Sequence, residues 1–164
     1  ERIAKFRGET VDNLCQTVRR LRSVGPPPGA KSIGRLAVID YFQVIPKPRE
    51  RWINSTPEAL AEISQQIEDL AANEDIAVAL FAQVKDEVKE RGGIITDVRD
   101  CADGRAAGKG CKLGIGIYRP AMYDQNADPK AGKLLIVKNN QGQSNVAVDV
   151  YLDLATHTIR DVNP

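Results

Sequence analysis

The run Leu36-Ala37-Val38-Ile39-Asp40 sets four apolar residues in front of a carboxylate. At the carboxyl edge of a parallel sheet, where ligands collect, such an acid can hold a hydrated Mg²⁺ beside a nucleotide phosphate. This is the Walker B use of an aspartate, and the same pattern alone also serves as a plain strand-end cap. A second apolar run, residues 76–82, ends in Gln83. An amide there can sense a nucleotide's terminal phosphate and pass the signal into the following loop, or it can simply face water. Residues 25–32, GPPPGAKS, superficially match the phosphate-cradling pattern G-x-x-x-x-G-K-[ST]. That match is rejected. Ala30 stands where a second glycine must let the phosphate approach the backbone. Only a few residues separate Ser32 from Leu36, which leaves no room for the helix whose N-terminus would face the phosphates.

Other reactive groups are less well placed. The segment 85–112 carries Lys85, Lys89, Arg91, Arg99, Arg105, Lys109 and Lys112 against six acids, so its charge alone does not mark a phosphate-binding loop. His157, the single histidine, has no carboxylate or nucleophile near it in sequence, which disfavours a serine or cysteine hydrolase. Cys15, Cys101 and Cys111 show no C-x-x-C spacing, so neither a disulfide framework nor a structural zinc site is supported, and a reducing cytoplasm is the default. At 164 residues, 42% hydrophobic and 27% charged, the composition is that of a globular chain. The formal charge of +1 excludes a polycationic nucleic-acid wrapper but permits a local basic site. No apolar run approaches the roughly 20 residues that span a bilayer, and no membrane partner is expected.

The elements that must position these groups alternate in period, as in an α/β domain. Thr10 caps a first helix to about Arg22, with Val11, Leu14, Val18 and Leu21 at helical spacing. The prolines of 23–32 exclude helix and central strand. Residues 36–40 read as a strand buried on both faces. Residues 46–55 form a polar loop whose Ser55 helps open a helix over 57–73, with Leu60, Ile63, Ile67 and Leu70 as its apolar stripe. Residues 76–83 are the next buried strand, completing a strand–helix–strand crossover. The Gly-rich, charged segment 84–112 reads as long loops with short helical pieces, a length that favours a functional role. Residues 112–119, 133–139 and 145–153 read as strands, the last two joined by a Gly-containing hairpin turn at 140–144.

Taken in order, LAVIDYFQVI (36–45), EISQQIEDLA (62–71), VALFAQVK (78–85), ITDVRD (95–100), IYRPAMY (117–123) and IVKNNQG (136–142) resemble the second half of the RecA-like motor domain of DnaB-type replicative DNA helicases. The resemblance covers nearly the whole chain from about residue 8. It implies an α/β, RecA-like three-layer fold with a mostly parallel central sheet, of which this chain is a single-domain fragment from the Walker B strand onward. The parts are a helix and Pro-rich loop (1–35), the Walker B strand–helix–strand (36–83), DNA-binding loops (84–112) and C-terminal strands (113–164).

The resemblance further implies ATP and Mg²⁺ as cofactors, single-stranded DNA as partner, a homo-hexameric ring in a bacterial or phage-encoded cytoplasmic protein, and contacts with primase and a helicase loader. Asp40 would hold Mg²⁺ through water, and Gln83 would sense the nucleotide. Arg99, with Asp100 beside it, would grip the DNA backbone, where a guanidinium fork suits phosphate oxygens. Lys138 would reach the neighbouring subunit's nucleotide, where a charge supplied in trans stabilises phosphoryl transfer. Two departures stand out. Asn140 occupies the position at which the family usually has its finger arginine, and Ala102 stands where the family usually has a glycine. They motivate a second reading, a degenerate relative that serves as a DNA-binding or assembly module. A RecA-like recombination or clock-type ATPase is a weaker third. With no Walker A loop in it, this fragment by itself is expected to be a poor ATPase.

Overall fold

The computed structural model describes residues 10–25, 28–29, 35–48 and 56–162. The rejected loop at 25–32 and the capping Ser55 fall largely or wholly outside them. The chain divides into two compact units, residues 1–83 and 84–164.

In the first unit, α1 (Val11–Ser23) starts where Thr10 Oγ1 accepts the Asn13 N–H. It carries Val11, Leu14 and Cys15 as its buried face and packs on α2 (Thr56–Asn73). Ala59, Leu60, Ile63, Ile67 and Leu70 of α2 are buried, with Ile63 and Leu70 fully so. Each of the larger side chains removes enough apolar surface from water to contribute about 1.5–3 kcal/mol. Glu74, just past α2, ties the helices together by accepting Arg19 Nε and Arg22 Nε, each at 3.4 Å. The Cys15 thiol, buried in the same seam, donates to the Gln66 carbonyl, and burial pushes its pKa up.

Strands β1 (Leu36–Ile39) and β2 (Ala77–Leu80) pair in parallel, Leu36 opposite Ala77 and Ile39 opposite Leu80. The two-faced burial expected of β1 is not found: Ile39 is buried, but Leu36 and Val38 are 62% and 57% exposed. Strand residues alternate between faces, and among the described residues only the Ile39 face is covered.

The second unit opens with α3 (Asp86–Glu90), a 3-10 turn at Val98–Asp100 and α4 (Gly104–Gly110). It continues with β3 (Leu113–Tyr118), β4 (Ala131–Asn139), β5 (Val146–Asp153) and β6 (Thr158–Asp161). These four strands form an antiparallel sheet in chain order. Parallel pairing is therefore confined, among the described residues, to β1 and β2, where the sequence led one to expect a mostly parallel sheet. The physical reason is connection length: β4, β5 and β6 follow one another through short turns, which force neighbours to run in opposite directions. Residues 84–101 leave and return at one point, since Val84 bridges Cys101 and the Lys85 N–H donates to the Asp100 carbonyl at 3.0 Å. Among the described residues no helix is long and apolar enough to cross a membrane.

Candidate functional site

Asp40 directly follows the last residue of β1, at the carboxyl end of the parallel pair. It is exposed and, among the described residues, forms no hydrogen bond or ion pair. The chain after it is held firmly. The Asp40–Tyr41 peptide is cis, Phe42 is completely buried, and the Phe42 N–H donates to the Phe81 carbonyl at 2.9 Å. The Phe81 N–H in turn donates to the Ile39 carbonyl at 3.0 Å. These bonds carry the ladder beyond β1 and β2, so that Asp40 and the segment ending in Gln83 emerge from the same edge.

A further residue joins them. Gln43, in the 3-10 turn Phe42–Val44, accepts the Gln83 N–H on its side-chain oxygen at 3.3 Å. Sequence reasoning placed Asp40 and Gln83 but gave no role to Gln43, although it lies inside the same I-D-Y-F-Q stretch. The signal available was its spacing, three residues past the acid. Gln83 itself lies three residues beyond the end of β2, in extended chain, and its side chain is exposed. A single free carboxylate at a parallel-sheet edge suits one role toward Mg²⁺, that of orienting the water shell of an ion brought in with a nucleotide. No group of three or more metal-binding side chains occurs among the described residues, so the phosphates must supply most of the ligands.

The second unit carries Arg99, Asp100 and Lys138. The Arg99 guanidinium lies along Asp97, Nε to Oδ1 and Nη2 to Oδ2 both at 3.0 Å, while the Asp97 carboxylate also accepts the Arg99 N–H at 2.7 Å. The Arg99 side chain and backbone together hold the Asp97 pKa below its ordinary value. Arg99 remains two-thirds exposed, and its fork is on an internal carboxylate, a partner that a phosphate presenting a similar pair of oxygens can displace.

Asp100 is differently placed. Only 15% of its side chain is exposed, and four donors converge on its Oδ2. They are Thr96 N at 2.8 Å, Thr96 Oγ1 at 3.1 Å, Asp97 N at 3.2 Å and Arg91 Nη2 at 2.6 Å. Burial alone would raise its pKa, but the hydrogen bonds from Thr96, Arg91 and Asp97 together bring it below the ordinary value. The resemblance placed Asp100 on DNA; its geometry is that of a carboxylate that folds the turn on which Arg99 is displayed.

Lys138, on β4, is partly buried and donates from Nζ to the Gly108 carbonyl of α4 at 2.7 Å. Asn140 is exposed beyond the end of β4, and its N–H donates to the Lys112 carbonyl at 3.0 Å. The exposed His157 lies in the β5–β6 turn with a left-handed backbone, consistent with no chemical role.

An α/β nucleotide-edge arrangement followed by a polar loop and an antiparallel sheet defines the RecA-like class of motor domain. The chain is similar to the solved structure of a phage-type helicase's isolated ATPase domain, with TM-score 0.79 and 17% identity over 95% of this chain and 52% of that one. It is also similar to the structure of a DnaB-like replicative helicase described with its primase interactions, with TM-score 0.82 and 17% identity over 98% of this chain and 37% of that one. Residues 3–159 match the family described as the DnaB-like helicase C terminal domain, and the chain belongs to that family. A probable plasmid replicative DNA helicase of Chlamydia psittaci is 26% identical over 104 residues, 63% of this chain and 22% of that protein. The chain thus spans about a fifth of that relative's length.

Proposed function

We propose that this chain is the Walker B-onward part of the motor domain of a replicative DNA helicase. In this reading ATP is hydrolysed at the subunit boundaries of a hexameric ring while central loops hold single-stranded DNA. The observation that carries the reading is the shared edge of β1 and β2, where Asp40 is exposed and unpaired and Gln43 secures the backbone of Gln83.

Bound there, the nucleotide supplies its phosphates with Mg²⁺, and the remaining work belongs to the chain. Asp40 orients the ion's water shell, and Gln83 registers the terminal phosphate. Lys138 offers its ammonium to the adjoining subunit's nucleotide, and Arg99 exchanges Asp97 for a DNA phosphate. Primase and a loader are the partners this reading brings with it. Asp40→Asn in the full-length protein tests it: ATP turnover should fall by about 10²-fold or more, as is usual when a preorganised charge at a reacting phosphate is lost. Retention of turnover and fork unwinding would refute the reading.

Asn140 favours a second reading, a relative that kept the fold as a DNA-binding or assembly module. A finger arginine contributes about 10³–10⁵ in rate, and Asn140 has no charge to give. If the machinery is otherwise intact, Asn140→Arg should raise turnover by at least about tenfold. If wild type and Asn140→Arg are both inactive while single-stranded DNA still binds, the module reading holds.

A further inference from the structure

Helix α4 has a sequence that cannot hold it as a helix. Three of its seven residues, GRAAGKG, are glycine, the poorest helix former after proline, and so short a helix is not stable on its own. Tertiary contacts must therefore fix it, and two do so. The first is a close approach to Val98. A Cβ at Gly108 would lie 2.7 Å from Val98 Cγ2, and one at Gly104 would overlap the Val98 carbonyl. The second is Lys138. Gly108 lies in the last turn of α4, where carbonyls have no partner within the helix, and Lys138 Nζ supplies one at 2.7 Å. A cation at a helix C-terminus is also favoured by the helix dipole. The circuit then closes. Gly114, opposite Lys138 on the β3–β4 ladder, lies against the other Val98 methyl, 2.7 Å from its Cβ position to Cγ1.

We propose that Lys138 is a positioning residue for the Arg99 turn, acting through Gly108 and Val98. This deepens the functional reading above and rests on it for the roles of Arg99 and Lys138 toward DNA and nucleotide. When the ammonium is drawn to a phosphate on the adjoining subunit it leaves the Gly108 carbonyl, α4 loosens, and Val98 and Arg99 lose their support. A strand that orders the Arg99 turn holds α4 together and keeps the lysine at home. The coupling is reciprocal, as any linkage between two binding events must be.

Trypsin reads this directly, since Arg105 and Lys109 are exposed on α4 and cleavage there requires the helix to open. Cleavage after both is expected to be about tenfold faster in Lys138→Met, because a hydrogen bond from a charged donor is lost, and to be restored in Lys138→Arg. Unchanged hydrogen exchange of β5 shows that the variant is folded. Oligo(dT) should slow the cuts in wild type. Its affinity should drop several-fold in Lys138→Met with the salt slope intact, whereas a slope smaller by about one would mean that Lys138 touches the strand itself and would overturn the proposal. In the assembled full-length protein, a non-hydrolysable ATP analogue should speed the cuts in wild type and leave Lys138→Met unaffected. Equal cleavage of wild type and Lys138→Met, or no response of wild type to the analogue, would overturn it as well. If oligo(dT) fails to bind at all, the DNA reading falls, while the cleavage rates still decide the role of Lys138.

Discussion

Replacing Asp100 by asparagine tests how the Arg99 turn is built. Four donors share Oδ2 of Asp100, at distances between 2.6 and 3.2 Å, with the side chain mostly buried. An amide oxygen can still accept some of these bonds, but without charge each is roughly half as strong. The loss is about 1 kcal/mol for each of the Thr96 and Asp97 bonds, reduced because they share one oxygen, and the half-exposed Arg91 adds less than about 1 kcal/mol. The turn should lose about 2 kcal/mol, close to a thirtyfold increase in local opening. Amide hydrogen exchange at Thr96 and Asp97 measures this, with the β4–β5 amides as internal reference.

The pH dependence has a definite sign. Because Asp100 titrates below the ordinary aspartate value of about 3.9, its contribution is present above that value and fades as pH falls through the depressed folded-state value. Wild type and Asp100→Asn should therefore differ near neutrality and converge in acid. Equal protection of Thr96 and Asp97 in the two proteins at neutral pH would refute the account of the turn, as would a loss of protection spread evenly across β3 to β6.

Three other perturbations follow from the packing. Ile63→Ala removes a fully buried side chain from α2 and should cost about 3 kcal/mol in urea denaturation. Gly116→Ala would bring a methyl to 2.9 Å from Ile95 Cδ1 and 3.0 Å from its Cβ, so the buried Ile95 must shift, and a loss of about 1–2 kcal/mol is expected in the same assay. Gln43→Ala gives up only a long hydrogen bond, so melting should change by less than about 1 kcal/mol while ATP turnover of the full-length protein falls through misplacement of Gln83. A large drop in melting temperature would instead make Gln43 a packing residue.

Some of this architecture was legible in the residues. Leu60, Ile63, Ile67 and Leu70 repeat at helical spacing, and all four are buried in α2. The parallel register of β1 and β2 follows from two short apolar runs separated by that helix. Other parts left no mark. Residues 158–161 form β6 although every one is exposed, because backbone bonds to β5 define the strand and no buried face imprints a pattern. Helix α4 runs against its own composition and exists by contact with Val98 and Lys138, two residues remote from it in the pattern of the chain. At the site, Asp40 and Gln83 could be found because strand ends are readable, whereas Gln43 acts through a hydrogen bond spanning 40 positions that no local pattern encodes. The pairing of Arg99 with Asp97 is a two-residue neighbourhood, visible only once the backbone is known to turn there.

The pinching together of Val84–Lys85 and Asp100–Cys101 gives the intervening stretch a drawstring neck. Residues added or deleted near Gly92 and Gly93, where the chain already reverses through left-handed backbone, lengthen or shorten the pouch without tugging on β3. Doubling such a closed segment costs only about 0.6 kcal/mol in chain entropy. Evolution, or an engineer, can therefore retailor the tip for a different polymer while the seam that anchors it stays sewn.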